Sequence, residues 1–323
     1  MPRFQEIEGL RDFWAGMIGG APVSPPVPLR PLFDTLGLGL EQAISHCGRE
    51  RPDWDAFVAW ILSTAGKPDP AALSRYGAWY RGEVAPEAER VRQAAVMATA
   101  PVFSDAEIAT WERDGVIVLR NAIAPDDAAA IATHLWTLKG ATPDDPMSWY
   151  GGREGGIMVQ QFQHPAMDVP RRALRVHRAF AQLYGHADLI ASCDRLSFNP
   201  PVTKAYAFPG PDLHWDTNLA SPIPFETQGI LYLTDTAGDQ GALRVVPGFH
   251  HRLLAWLESL DGRNPRDVDL ADEAVAIAGG AGDLVIWRQE LPHGASANLA
   301  KVPRMAQYVN LYPMHRSDTR AWI

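Results

Sequence analysis

Cysteine, excess positive charge and long hydrophobic runs are all scarce in this 323-residue chain. Its two cysteines, Cys47 and Cys193, lie far apart and in no ligand-like spacing, which argues against a disulfide framework or a thiolate zinc site. A formal net charge of -9 argues against nucleic acid or an anionic membrane as the main partner, since either needs a basic face to displace counterions. No stretch approaches the roughly eighteen apolar residues of a membrane span, and MPRFQEIEGLRDFWAG lacks an apolar secretion core. A globular, cytoplasmic protein is therefore expected. At 46% hydrophobic, the chain can build one large core with an extension, or two modest domains. Eleven Trp and 27 Pro point to a loop-rich, aromatic-lined structure, or equally to an Ala/Pro-heavy background.

Residues 1 to about 100 read as helices around a proline-rich connector, APVSPPVPLRP (21–31), whose interior should not be helical. DWDAFVAWILSTAG (53–66) places Phe57, Trp60 and Ile61 on one face, with Asp53 as cap and Gly66 as stop; Pro86 opens another helix. From residue 103 the pattern becomes helix, strand, helix: a capping box of Ser104 and Glu107, a stop at Asp114-Gly115, the strand VIVL, and a helix after Pro125. Beyond residue 194 strand signals dominate in QGILYLTDT, GALRVVPG, DLVIW and RMAQYVNLYP. Helices first and strands later, without regular alternation, indicate an α+β chain with a sandwich or jelly roll.

Two H-x-D pairs compete as metal ligands. His186 and Asp188 fall in FAQLYGHADLIASCD, whose apolar spacing is helical, and residues two apart on a helix diverge. His214 and Asp216 follow the turn cluster FPGPD, where extended chain sends both to one side and Trp215 to the other. A surface histidine beside an Asx turn would look the same. His293, in RQELPHGASAN, supplies a third ligand, and Arg304 opens a strand eleven residues later. Two histidines and one carboxylate make the facial triad of non-heme Fe(II) oxygenases, which leaves coordination positions for a keto acid and dioxygen. A guanidinium on an inward strand position can hold the distal carboxylate of 2-oxoglutarate bidentately. Alternation puts Arg304, Ala306, Tyr308 and Asn310 on one face, so Arg304 and Tyr308 would share a pocket.

The order H-x-D, GALRVVPGFHH, GDLVIW, PHGASAN and the arginine beyond resembles the phytanoyl-CoA dioxygenase (PhyH) family of Fe(II)/2-oxoglutarate oxygenases. FSDAEIATWERDGVIVLRNAIAPDDAAAI is similar to the start of that family's domain, and LSFNPP to its strand and proline turn before H-x-D. The resemblance covers about residues 103–313. It implies a double-stranded β-helix (jelly roll, cupin-like) core with flanking helices, iron on His214, Asp216 and His293, and 2-oxoglutarate on Arg304. The expected division is a helical N-terminal extension over 1–102 and a dioxygenase domain over 103–323. Ala295, followed by Ser296, stands where some members carry a hydroxyl residue, which leaves contacts to the keto acid other than Arg304 open. By strand position Gln228 is a candidate for one of them, though an ordinary inward strand glutamine fits as well.

The expected function is Fe(II)- and 2-oxoglutarate-dependent hydroxylation of an unactivated C–H bond by dioxygen, with release of succinate and CO2. The substrate would be a small organic acid, an amino-acid-like molecule or a natural product, and no catalytic residue is expected beyond the metal ligands. An intact Asp216 favours oxygenation over the halogenation that a small residue there allows in similar enzymes. Desaturation, epoxidation or cyclisation would use the same triad. A zinc hydrolase or isomerase would use the same ligands without needing Arg304, and a non-catalytic jelly roll would need neither. In WYGGREGGIMVQQFQHP, Gln161 and Arg153 are candidate substrate contacts on a pocket-edge loop. Arg171, Arg172, Arg175 and Arg178 could receive a carboxylate or a CoA phosphate, or form a solvated helix face. Substrate identity, oligomeric state and the work of residues 1–100 are not legible.

Overall fold

A computed structural model describes residues 4–20, 26–151, 156–210, 213–316, 318 and 320–323. Eleven α-helices are described: α1 Leu10–Gly19, α2 Leu29–Thr35, α3 Leu40–Glu50, α4 Trp54–Ala65, α5 Pro70–Arg81, α6 Glu87–Ala98, α7 Asp105–Asp114, α8 Pro125–Lys139, α9 Pro165–Arg172, α10 Leu174–Tyr184 and α11 Leu253–Ser259. The described strands are β1 Val116–Leu119, β2 Met158–Val159, β3 Ile190–Ala191, β4 Leu196–Asn199, β5 Thr227–Tyr232, β6 Leu243–Val245, β7 Val275–Ile277, β8 Leu284–Arg288, β9 His293–Gly294, β10 Arg304–Tyr308 and β11 Leu311–Tyr312. Among the described residues no helix is long and apolar enough to cross a membrane.

Every strand pair is antiparallel. A six-stranded sheet runs β1-β8-β5-β10-β4-β2, a three-stranded sheet runs β7-β6-β9, and β11 pairs with β3. The two larger sheets face each other, because Ile230, Tyr232, Val285, Trp287 and Ala306 of one share a core with Leu243 and Val245 of the other. Alternation then sends Leu231, Leu284, Ile286 and Met305 to the opposite face, where they meet Ile131 and Leu135 of α8 and Phe180 of α10. The result is an α+β architecture: a helical layer on a β sandwich.

The caps read from sequence form as expected. Asp53 accepts from the Ala56 N–H, and the Ser104–Glu107 box closes α7 at its start. Gly115 ends α7 at φ 73°, where a Cβ would come within 2.8 Å of His250. The proline connector departs from expectation, since α2 begins inside it at Leu29. Pro31 sits in the first turn, where its missing N–H is not needed. The helical reading through His186 is also corrected: α10 stops at Tyr184 and Gly185 takes the left-handed conformation. His186 and Asp188 therefore lie in a loop, and the Asp188 carboxylate is occupied by Arg75 and Gln93.

α1 to α5 build a separate apolar cluster from Leu10, Phe13, Leu32, Phe33, Phe57, Ile61 and Tyr76, joined by Met314. α6 packs instead on the sandwich side, with Val96 against Ala181 and Ala187.

Candidate metal centre

A β-bridge brings the first two site residues together. His214 donates its backbone N–H to the His293 carbonyl at 2.9 Å and His293 returns the bond at 3.0 Å, which sets the two rings 4.7 Å apart. Asp216, two residues on in extended chain, turns to the same side: its Oδ1 lies 3.4 Å from His214 Nε2 and its Oδ2 3.2 Å from His293 Nε2. One ligand atom from each of the three lies within 4.8 Å of the others. First-row metal bonds of about 2.1 Å set at right angles place neighbouring donors about 3 Å apart, so this donor set fits such an ion. The His293 Nδ1 lies 3.1 Å from the Leu291 carbonyl. A carbonyl only accepts, so Nδ1 carries the hydrogen and Nε2 presents its lone pair.

Supporting contacts complete the geometry. Burial pushes the Asp216 carboxyl up, but the two imidazoles beside it, His214 and His293, outweigh that and hold the group well below the usual carboxylate range. Gln228 Nε2 donates to Asp216 Oδ2 at 2.7 Å, and its Oε1 accepts from Trp287 Nε1 at 3.1 Å. The Gln228 amide is thus committed to Asp216 and Trp287. Trp215 points away, 4% exposed, donating to the Glu290 carbonyl and packing on Phe249 and Trp256.

A cavity of about 540 Å³ opens beside the triad, bordered by Ile230, Leu243, Trp287 and Ala295, with Arg304 and Tyr308. Arg304 is 1% exposed. Its Nη1 donates to Ser197 Oγ at 2.9 Å and its Nε to the Gly241 carbonyl at 3.1 Å. Gly241 is required there: at φ 68°, a Cβ would come within 2.3 Å of Asn199 Nδ2. No carboxylate lies within ion-pair distance of Arg304 among the described residues. Burial also pushes the nearby Tyr308 phenol up, against the opposing field of Arg304.

The remaining candidates lie elsewhere. Gln161 donates to the Gln163 carbonyl and is not among the described residues lining the cavity, and Arg153 lies outside the described residues. The four arginines of VPRRALRVHR form neither a uniform solvated face nor an anion patch. Arg171 and Arg178 are buried on the Asp194 and Thr99 carbonyls, Arg175 holds the Arg120 and Asn121 carbonyls, and Arg172 pairs with Asp168. Sequence reasoning missed Ser197 and Gly241, whose only signals are a hydroxyl alternating within LSFN and a glycine before a strand.

Two imidazoles and a carboxylate leave much of a metal's coordination shell free, and here the open side faces a cavity with a buried, uncompensated guanidinium. That combination marks the class of non-heme iron dioxygenases that consume 2-oxoglutarate as cosubstrate. The model of the phytanoyl-CoA dioxygenase (PhyH) family matches residues 111–306, and the chain belongs to that family. It is accordingly a non-heme Fe(II)/2-oxoglutarate-dependent dioxygenase. A Dictyostelium discoideum protein named as a candidate phytanoyl-CoA dioxygenase is 23% identical over 257 residues, covering 63% of this chain and 74% of its own length. The dioxygenase cdmD of Talaromyces verruculosus is 27% identical over 151 residues, 43% of this chain and 45% of its own. Among solved structures, AviO1 from Streptomyces viridochromogenes Tue57 is 20% identical, with 68% of this chain and 99% of that chain covered and a TM-score of 0.47. HygX from Streptomyces hygroscopicus, solved with nickel and 2-oxoglutarate bound, is 14% identical, with 66% and 88% covered and a TM-score of 0.45.

Proposed function

We propose that His214, Asp216 and His293 hold the Fe(II), that Arg304 receives the distal carboxylate of 2-oxoglutarate beside Tyr308, and that the sandwich is a double-stranded β-helix. On this reading the enzyme hydroxylates an unactivated C–H bond of a small organic acid, amino-acid-like or natural-product substrate. The observation that carries it is the state of Arg304, a guanidinium 1% exposed whose bonded N–H groups reach only neutral oxygens. Burying a cation without a counter-charge is costly, and a dicarboxylate cosubstrate supplies that charge. A zinc hydrolase at the same ligands would leave Arg304 without a purpose.

Iron with 2-oxoglutarate and dioxygen supplies an oxidant able to break an unactivated C–H bond, releasing succinate and CO2. The protein contributes position. Leu291 fixes the His293 tautomer, Gln228 steadies the Asp216 carboxylate, and Trp287 with Ile230 and Leu243 forms the apolar part of the cavity wall. Asp216 itself fills the position that a halide would need, which favours oxygenation.

Adding Fe(II) and 2-oxoglutarate without oxygen tests the reading. The intact protein should show the weak visible charge-transfer band of the chelate, and both R304A and H293A should lose it. A band unchanged in both variants, or none in the intact protein, overturns the assignment.

A further inference from the structure

The cavity continues past the metal ligands. Beyond Asp216 and Gln228 it joins a recess of about 370 Å³ whose far wall is the helical extension, through Arg30 of α2 and Leu40 of α3. Arg30, Asp194 and Arg195 border both spaces. The two arginines there are not alike. Arg195 is committed to Glu41 and Asp194. Arg30 lies over the Tyr312 ring, 3.8 Å from its centroid, and its one ion-pair contact, to Glu226, is a long 3.5 Å. Glu226 is shared in turn with His315 at 3.2 Å. The remaining Arg30 N–H groups have no hydrogen-bond partner among the described residues.

A second unspent donor lines the same cavity. Asn310 is 6% exposed, and its Nδ2 has no partner. Its orientation is set by a chain of donors: the Thr227 N–H donates to the Tyr184 hydroxyl at 3.0 Å, that hydroxyl lies 3.2 Å from Thr227 Oγ1, and Oγ1 donates to Asn310 Oδ1 at 3.1 Å. Asn310 Oδ1 is thereby used as acceptor, which leaves Nδ2 as the group without a match. A buried donor without an acceptor costs about 1–3 kcal/mol, and a guanidinium fork matches a carboxylate in plane.

We infer that Arg30 and Asn310 form the docking site for a carboxylate on the substrate, so that the helical extension supplies part of the binding site of the dioxygenase. The inference rests on the reading of the metal centre given above, and it narrows the substrate to molecules with an anionic end distant from the carbon that is oxidised. The acids around Arg30 act on it by charge but leave its fork unfilled, because Glu226 reaches it only at 3.5 Å, Asp34 is hydrogen-bonded to Tyr312 and the Cys193 N–H, and Asp194 serves Arg195.

The test uses the full chain with Fe(II) and 2-oxoglutarate under anaerobic conditions, titrated with matched probes while tryptophan fluorescence is followed. The probes are hexanoate with hexanamide, 3-phenylpropanoate with its amide, and hexyl phosphate. Each carboxylate should bind about tenfold or more tightly than its amide, R30Q and N310A should each shrink that preference, and R30K should restore part of what R30Q loses. Equal binding of acids and amides, no acid binding at millimolar concentration, or an acid preference that survives R30Q would overturn the inference. Hexyl phosphate binding more tightly than every carboxylate would overturn the choice of carboxylate. The charge-transfer band, recorded in the same samples, reports separately whether the iron and 2-oxoglutarate assignment holds.

Discussion

In the helical extension the interior is built mainly from Leu10, Phe13, Leu32, Phe33, Phe57 and Ile61, nearly all closed to solvent, and its buried Tyr76 hydroxyl is matched by the Glu8 carbonyl at 3.0 Å. The inner face of the sandwich buries Arg304, His293 and Asn310 to a similar degree. The extension's core contributes packing above all, whereas the cavity side of the sandwich keeps donors, such as the Asn310 Nδ2, that the protein itself leaves unmatched. A polar group buried without a full set of partners lowers stability, so its presence points to a ligand that completes it. Substitutions should therefore separate the two regions: in the extension's apolar core they should cost stability, and along the cavity, Arg30 included, they should cost ligand binding while the fold persists.

The largest effect is expected at the triad. D216A or H293A should lower succinate formation by about a thousandfold or more, because a two-ligand site neither holds nor orients the metal. The melting temperature of the metal-free protein should hardly move, and a collapse of the fold in both variants would erase the contrast. In the other region, F57A should destabilise by about 3–5 kcal/mol, since it removes a fully buried ring from contact with Phe13 and Trp60. Chemical denaturation measures that directly. R304A comes next, with an expected loss of about 2–3 kcal/mol in 2-oxoglutarate affinity, some hundredfold, read from the charge-transfer band. R304K should fall between the two, because an ammonium keeps the charge but not the fork.

The legible part of the molecule was the part carried by local pattern. The caps at Asp53 and Ser104 and the long strands β5, β8 and β10 follow from spacing alone. H-x-D could be read because extended chain aligns residues two apart, and His293 with Arg304 because each adjoins a strong strand. Strands β2, β3, β7 and β9 have only two or three residues each, too few for a period to show. Nor could Ser197, Gly241 and Asn310 be assigned in advance, because what matters is which atom each presents to a residue distant in sequence. Arg30 was hidden further, inside a proline-rich segment whose composition reads as a connector. The helix there depends on Pro31 falling in its first turn, and its placement against the cavity on tertiary packing.

Asp34 joins the two regions and tests the contrast by pH. Its carboxylate, on α2, accepts from the Tyr312 hydroxyl and the Cys193 N–H, both at 2.6 Å. Burial pushes its pKa up to about 6 despite Arg30 and those hydrogen bonds. The folded state thus binds this proton more tightly than the unfolded chain, whose carboxyl titrates near 3.8. Stability from this group should be greatest below about pH 4, fall by about 3 kcal/mol in all as pH rises from there through about 6, and stay level above. Denaturant midpoints at pH 4.5 and 7 measure the slope, and D34N should flatten it.

The smallest effects are expected at Gln228 and its indole partner Trp287, and Gln228 sharpens the comparison most closely because it binds no ligand in the present assignment. Its amide fixes one oxygen of Asp216 and is itself fixed by the Trp287 indole. Q228A would free that carboxylate to rotate, and partners of metal ligands are commonly worth about ten- to a hundredfold in metal affinity, so a loss near the lower end is expected. W287F, which removes only the indole donor, should weaken Fe(II) by less, in competition against a chelator of known strength. If Q228A matches the unaltered protein in that titration, the metal alone orients Asp216. The polar groups of the cavity would then divide into those that meet a ligand and those, like Gln228, that merely fill hydrogen bonds.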